Sequence, residues 1–444
     1  MKSFRALRQR GAASLIVVAV LFFVLSLVAA YTSRNLIFEQ RTASNQFRAT
    51  TAFQAAEAGL QWALTMLNAG RIDDNCLPSA DPAQPSFRER YLVTDPATGI
   101  VDPAGPLTPA PEPASTVWPS CVFNGNDWAC SCPLNGAPAL AEPAGSGVFP
   151  AFRVRFVTVT QIPFGLAGRG PGMVRVEVNG CTRLADGCLD FPAQAVGGEG
   201  RAVVSSIVAL RGVPAAPPVA ALTASGAVNP DDTLGGLDIY NGDPASGGIT
   251  VVAGRVFTPG AGVRLFSAPG TPGENSFRED PTLGALPDGR LFTNAFAVWP
   301  DTFRDQPAAV RLTCNPSCGT AEVQQAVQAH PFRVIWVDGE LSLAAGGDIG
   351  SPAAPVALVV QGRRVDIDAG VRVFGLIYVR RVDGDPAPAW EVEGSGGELR
   401  GAAIVDGDVI GTGSTVIAYD GEILDRLRRT TGSFVQVPGT WRDF

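Results

Sequence analysis

The side chains that could carry covalent or metal chemistry in this chain are eight cysteines, one histidine and a few closely spaced aspartates. Cys76, Cys121, Cys130 and Cys132 lie in a Pro- and Ala-rich stretch, Cys181 and Cys188 bracket TRLADG, and Cys314 and Cys318 enclose NPS. An even cysteine count behind an export-type N-terminus reads as disulfides made in an oxidising compartment. The two close pairs are expected to close locally. Cys130 and Cys132 are too near each other in an extended chain to join easily. Two bridges to Cys76 and Cys121 are therefore expected, with the connectivity open. A metal site on this C-x-C would need a second C-x-x-C or a histidine partner, and neither is present, so no metal and no cofactor are expected.

The aspartates raise a second possibility. Asp366 and Asp368 alternate on one strand-like run, Asp406 and Asp408 flank Gly407, and Asp383 and Asp385 sit in a Gly-Asp turn. Polysaccharide lyases on β-helices use clustered Asp, Arg or Lys on one face, and paired carboxylates can also hold calcium. No complete D-x-D-x-D-G loop with a distant Glu is present, so solvated turn and strand carboxylates are the simpler expectation. Ser205 and Ser206 lie inside an apolar strand. A triad would need His330, which precedes Pro331 at a helix end and reads as a structural or exposed residue. No G-x-x-x-x-G-K loop occurs. An enzyme is not expected. A net charge of -8 and the lack of a basic patch argue against nucleic acid as a partner.

These residues must be positioned by something, and 444 residues suffice for two or three domains. With 17% charged residues, 51 Gly and 36 Pro, the bulk suits a turn-rich β protein. The N-terminus differs. Met1 to Gly11 carries Lys2, Arg5, Arg8 and Arg10 and no acid, and Ala12 to Tyr31 is almost wholly apolar. Twenty helical residues span about 30 Å, one bilayer core. Positive charge before such a helix stays cytoplasmic, which sends the rest of the chain to the periplasm. The stretch could be a plain anchor, a secretory signal cut after Ala30, or a prepilin leader cut after Gly11. The next 37 residues separate these readings. From Thr32 to Asn68 there is no proline, and Phe53, Ala56, Leu60, Leu64 and Leu67 recur at helical steps. The apolar helix therefore runs on into an amphipathic one, about 57 residues and roughly 85 Å in all. A cleaved signal has no reason to be fused to such a stalk.

The first 68 residues resemble the N-terminal domain of PilX-type minor pilins of type IV pili. The resemblance rests on the basic leader ending in Gly11, on Glu39-Gln40-Arg41 with Asn45, and on the run AFQAAEA from Ala52 to Ala58. It implies that prepilin peptidase cuts between Gly11 and Ala12 and that Ala12 becomes N-methylated. The subunit would sit in the inner membrane with its C-terminal part periplasmic, then move to the pilus at the cell surface. Its implied partners are major pilins, other minor pilins and a tip adhesin. Major pilins carry a glutamate five residues into the mature chain; here that place is Ile16. A subunit without this carboxylate cannot pair with a neighbour's terminal amine, which suits a tip or priming position. A large tip pseudopilin of a type II secretion system fits the same features. A secreted β-helical carbohydrate-binding protein or lyase is the reading of another class.

The expected fold is α+β. A leader (1–11) precedes the long helix (12–70) and a disulfide-tied loop region (71–147). An antiparallel sheet (148–213) comes next, built on FRVRFVTVT, MVRVEVN and RAVVSSIVALR. Phe152, Val154, Phe156 and Thr158 are expected to face the helix, and Arg153 and Arg155 to face water. VPAAPP then makes a stiff linker. From 219 to 419 the pieces TASG, WVDG, VVQG and IVDG recur, with GLIYV from Gly375 as a further rung. This self-similarity predicts stacked rungs of a β-helix in preference to a sandwich. The last segment, 420–444, is expected to cap the open end of that stack.

Overall fold

The computed structural model describes residues 12–109, 112–145, 147–160, 170–192, 199–306, 309–381 and 390–443. Residues 1–11, where the leader is expected, and Asp383 and Asp385 lie outside the described residues. The architecture is α+β: one long helix and two β domains of different kinds.

The helix runs unbroken over Ala12–Leu67. Its N-terminal half stands free, while Ala52, Ala55, Ala56, Leu60, Ala63 and Leu67 are buried against a sheet. Small residues on this face let the helix backbone approach closely. The closest approach is at Gly180, where a Cβ would lie 2.2 Å from the Ala52 carbonyl oxygen. Any larger residue there would push helix and sheet apart.

That sheet has six antiparallel strands, in the order Gly432–Gln436, Arg201–Gly212, Met173–Cys181, Ala151–Thr158, Ser120–Phe123, Trp128–Ser131. The three central strands match the strand-like runs of the sequence. Phe152, Val154 and Phe156 pack with Leu60, Met66 and Leu67 in one core. Arg153 corrects the expectation that it faces water: it is buried, donating to Ser120 Oγ (3.0 Å) and Asp186 (2.8 Å) and paired with Asp190. The short helix Asp186–Leu189 and the residues after it fold over this face and supply both carboxylates. The region 71–147 is also more ordered than a loop. It contains the helix Phe87–Tyr91, opened by a Ser86/Glu89 capping box, and the outer hairpin of the sheet. Four-residue strands are too short for a period to show in sequence.

The second β domain is a sheet of twelve strands whose ladders are parallel. Thr223, Ile404, Tyr378, Val359 and Trp336 occupy one register row across five neighbouring strands. TASG, IVDG, VVQG and WVDG are thus stacked repeats in space. Their glycines stack as well: a Cβ on Gly362 would lie 2.3 Å from the Gly339 carbonyl oxygen. The stacking order is not the chain order. The chain enters mid-stack at Ala220–Ala224 and moves outward through Ile249–Ala253 to Phe277–Glu279. It then crosses by the helices Arg290–Phe296 and Pro300–Arg304 to the far end at Ala309–Cys318, and works back to Ser395–Asp406 beside its own first rung. The inner side of the stack buries Ile335, Val337, Leu358, Val360, Ile377, Val379 and Val405. The outer side of the same ladder is buried too, with Trp336 and Tyr378 against Phe292, Phe296 and Leu424. Strands covered on both faces read as near-continuous apolar runs, as these do.

The expectation that 420–444 caps the stack is corrected. The helix Gly421–Thr430 lies beside the stack, and Gly432–Gln436 returns to pair with Arg201–Gly212 of the antiparallel sheet. The end at Ala309–Cys318 is guarded locally instead. Pro316 has no N–H to offer, Cys314–Cys318 closes the turn, and Thr320–Ala329 covers the core through Val323 and Ala326.

Candidate assembly helix and its head

Each candidate residue can be placed on this frame. Ala12 opens the long helix and Ile16 is 62% exposed on it; Gly11 lies outside the described residues. Ser14–Leu67 is long and apolar enough to cross a membrane, with an 18-residue window of mean hydropathy 2.7 that is 0% buried. Leu15, Phe22, Phe23, Leu25 and Leu27 are all more than half exposed. At roughly 25 cal/mol per Å² of apolar surface, such a helix is strongly unfavourable in water and must enter lipid or other helices.

The lower half of the helix is fixed to the head at three levels. Gly59 and Ala63 lie on the central strands, with Gly59 against Phe152 and Val178. Asn68, just past the last turn, holds the edge strand: Phe434 N donates to Asn68 Oδ1 (2.8 Å), and Asn68 Nδ2 donates to the Phe434 carbonyl (2.9 Å). The C-terminal tail returns to the helix, where Trp441 Nε1 donates to Glu57 (2.6 Å) and the indole meets Phe53 edge-on. Arg88 adds a further clamp, donating to the Gly432 (2.9 Å) and Thr430 (3.1 Å) carbonyls beneath the Phe434 ring. Burial lowers its pKa to about 10, so it remains charged at neutral pH.

The cysteines form four bridges: Cys76–Cys132, Cys121–Cys130, Cys181–Cys188 and Cys314–Cys318. Cys121 and Cys130 are cross-strand partners in the outer hairpin. Cys76–Cys132 closes a separation of 56 residues and ties the segment after the helix to the sheet edge.

The aspartates act as staples between rungs. Asp366 Oδ1 accepts from Glu393 N (2.8 Å), and Asp368 accepts from Ser395 N (2.9 Å), each 27 residues further along the chain. Asp406 accepts from Ser225 Oγ (3.2 Å) and Asp408 from Ala227 N (2.8 Å), where the last rung meets the first. Burial raises the pKa of Asp366 and of Asp406 above the ordinary aspartate value. Asp406 and Asp408 share a polar cleft of about 210 Å³ with Asp288, Arg255 and Arg381. Ser206 bonds to Thr440 Oγ1 (3.2 Å) and receives Gln436 (3.0 Å). His330 lies at the end of Thr320–Ala329 against Gly70, and burial lowers its pKa. The structure does not join Ser206 and His330 by a hydrogen bond among the described residues. Sequence reasoning missed Asn68, Arg88 and Phe434. Their partners are more than 300 residues away, and no local pattern marks such a pairing.

Residues 10–61 match the PilX N-terminal family model. The chain thus carries a PilX-type N-terminal region, which supports a type IV pilin-like role. A solved structure with some likeness is the competence-associated pilin ComZ from Thermus thermophilus. It has 10% identity and a TM-score of 0.19, over 89% of this chain and 97% of that one, and at that score it carries no argument. No curated protein matches the chain.

Proposed function

We propose that the chain is a minor pilin that takes part in type IV pilus assembly as a tip or priming subunit. In this reading prepilin peptidase cuts between Gly11 and Ala12, Ala12 is N-methylated, and the subunit waits in the inner membrane with its head in the periplasm. The observation that carries the reading is the single helix Ala12–Leu67: a bare apolar half runs without a break into a half fixed to a head. Ile16, at the place of the early glutamate, supports an end position, because this subunit offers no carboxylate to a neighbour's terminal amine. The head supports it too. We read the parallel domain as a β-helical coil inserted between two neighbouring strands of a pilin sheet, and such bulk suits an end better than a repeated shaft position. The role is assembly and presentation of the coil to an adhesin, another minor pilin or a surface, with no catalytic step.

A deletion strain tests this. Loss of surface pili with normal protein export is expected, and gold-labelled antibody against the head should mark filament ends. Normal piliation with failed export would assign the chain to a type II secretion pseudopilus, and labelling along the shaft would overturn the end position.

A further inference from the structure

The head-facing side of the long helix does not stop at the head. Ala52, Ala56, Gly59 and Ala63 lie on the sheet, and the same side continues upward as Arg48, Asn45, Arg41, Phe38, Arg34 and Tyr31. From Arg48 to Tyr31 the steps alternate three and four residues, the heptad spacing of a helix seam. Arg48 ends the bare part, its backbone lying against Gly200. Above it Tyr31 is 68% and Phe38 71% exposed, and both line a shallow groove with Arg34 and Arg41. Among the described residues, Arg34 and Arg41 form no ion pair. Glu39, the one acid between Ala12 and Ala56, sits about 140° round the helix from the seam.

Lipid does not explain this seam. Ala30 ends the apolar span. Arg34 stands about 6 Å above it, at headgroup level, but Arg41 stands about 16 Å above it, beyond the headgroups. Phe38, about 12 Å above Ala30, is likewise beyond the acyl chains. A seam of rings and guanidinium groups at heptad spacing fits a second helix, and its charge fits carboxylates on that helix.

We propose that Tyr31–Arg41 is a docking seam for the helix of another pilin-like subunit, and that Arg41 selects a partner whose facing side carries carboxylates. This rests on the pilin reading above and adds the chemistry of the partner.

The test uses the full chain in its own cell and compares its amount in the membrane with its amount in sheared surface filaments. R41E is expected to keep the wild-type membrane level and to lose at least tenfold from filaments, while R41K stays within about threefold. Changing helix carboxylates of the other pilin-like subunits to lysine, one at a time, should restore R41E in at least one case. R41E present in filaments at the wild-type level would overturn the inference, as would failure of every lysine exchange. A fall in the membrane level of R41E would also overturn it, because the side chain would then act before any partner is met. If the wild-type chain is itself absent from filaments, it is the pilin reading that fails.

Discussion

Asn68, one residue past the end of the long helix, closes both backbone hydrogen bonds of Phe434, a residue 366 positions later in the chain. The amide stands where a neighbouring strand's peptide would stand. It satisfies an edge that would otherwise carry an unpaired N–H and C=O. The helix end and the chain end are thereby one structural unit, and the whole parallel domain lies between them.

Asn68→Ala removes both bonds and leaves two backbone groups at a half-buried edge. A loss of about 2 kcal/mol in head stability is expected. Asn68→Asp keeps the acceptor for Phe434 N and should lose less. Denaturant titration of the full chain in detergent, read by near-UV signals of the head, measures both. Equal stability of Asn68→Ala and wild type would contradict the role.

Gly212 and Gly432 face each other across neighbouring antiparallel strands, and Val213 N donates to Thr431 O (3.0 Å). The parallel domain can therefore be excised in a way that a truncation cannot reproduce. Replacing residues 214–430 by Asn-Gly gives a two-residue hairpin loop and is expected to leave the head folded, with Cys76–Cys132, Cys121–Cys130 and Cys181–Cys188 formed. Stopping the chain after Asp420 removes Phe434 from the head core and opens the edge of Arg201–Gly212. That variant is expected to lose more than about 3 kcal/mol and to be degraded. Mapping of disulfides and protease resistance distinguish the two outcomes.

How much of the fold and site was legible depended on distance along the chain. The helix could be read because proline is absent and the apolar steps are regular, and the central strands because two of the three, FRVRFVTVT and MVRVEVN, alternate. The rungs could be read because each repeats a strand and a glycine, and Thr223, Trp336, Val359 and Ile404 do share a register row. What could not be read was which rung sits beside which. The first rung stacks on the last through pairs such as Leu222 with Ala403, and no local pattern marks a pairing across 181 residues. The burial of Arg153 was hidden likewise, since its alternation with Phe152 and Val154 is that of an exposed position and only the later carboxylates Asp186 and Asp190 make burial tolerable.

Asp406 gives a prediction in pH. Burial is the main reason its folded-state pKa is raised, opposed by its bond to Ser225. A raised carboxyl pKa contributes stability that is present below the unfolded value and is lost as pH rises through the folded one. Asp406→Asn removes that loss and keeps an acceptor for Ser225. It is expected to raise the melting temperature at pH 7, with the gain shrinking toward zero as pH falls below the ordinary aspartate range. A variant less stable at pH 7 would show that the charge itself is needed, by Arg381 or Arg380.

The central claim, that Ala12–Leu67 is the assembly helix of a processed pilin-like subunit, is tested most directly by the mass and N-terminal sequence of the mature protein recovered from cells. The expected chain begins with N-methylated Ala12 and keeps the whole apolar helix. A chain that begins at Tyr31, or one that still carries Met1–Gly11 in cells with an active prepilin peptidase, would contradict the claim.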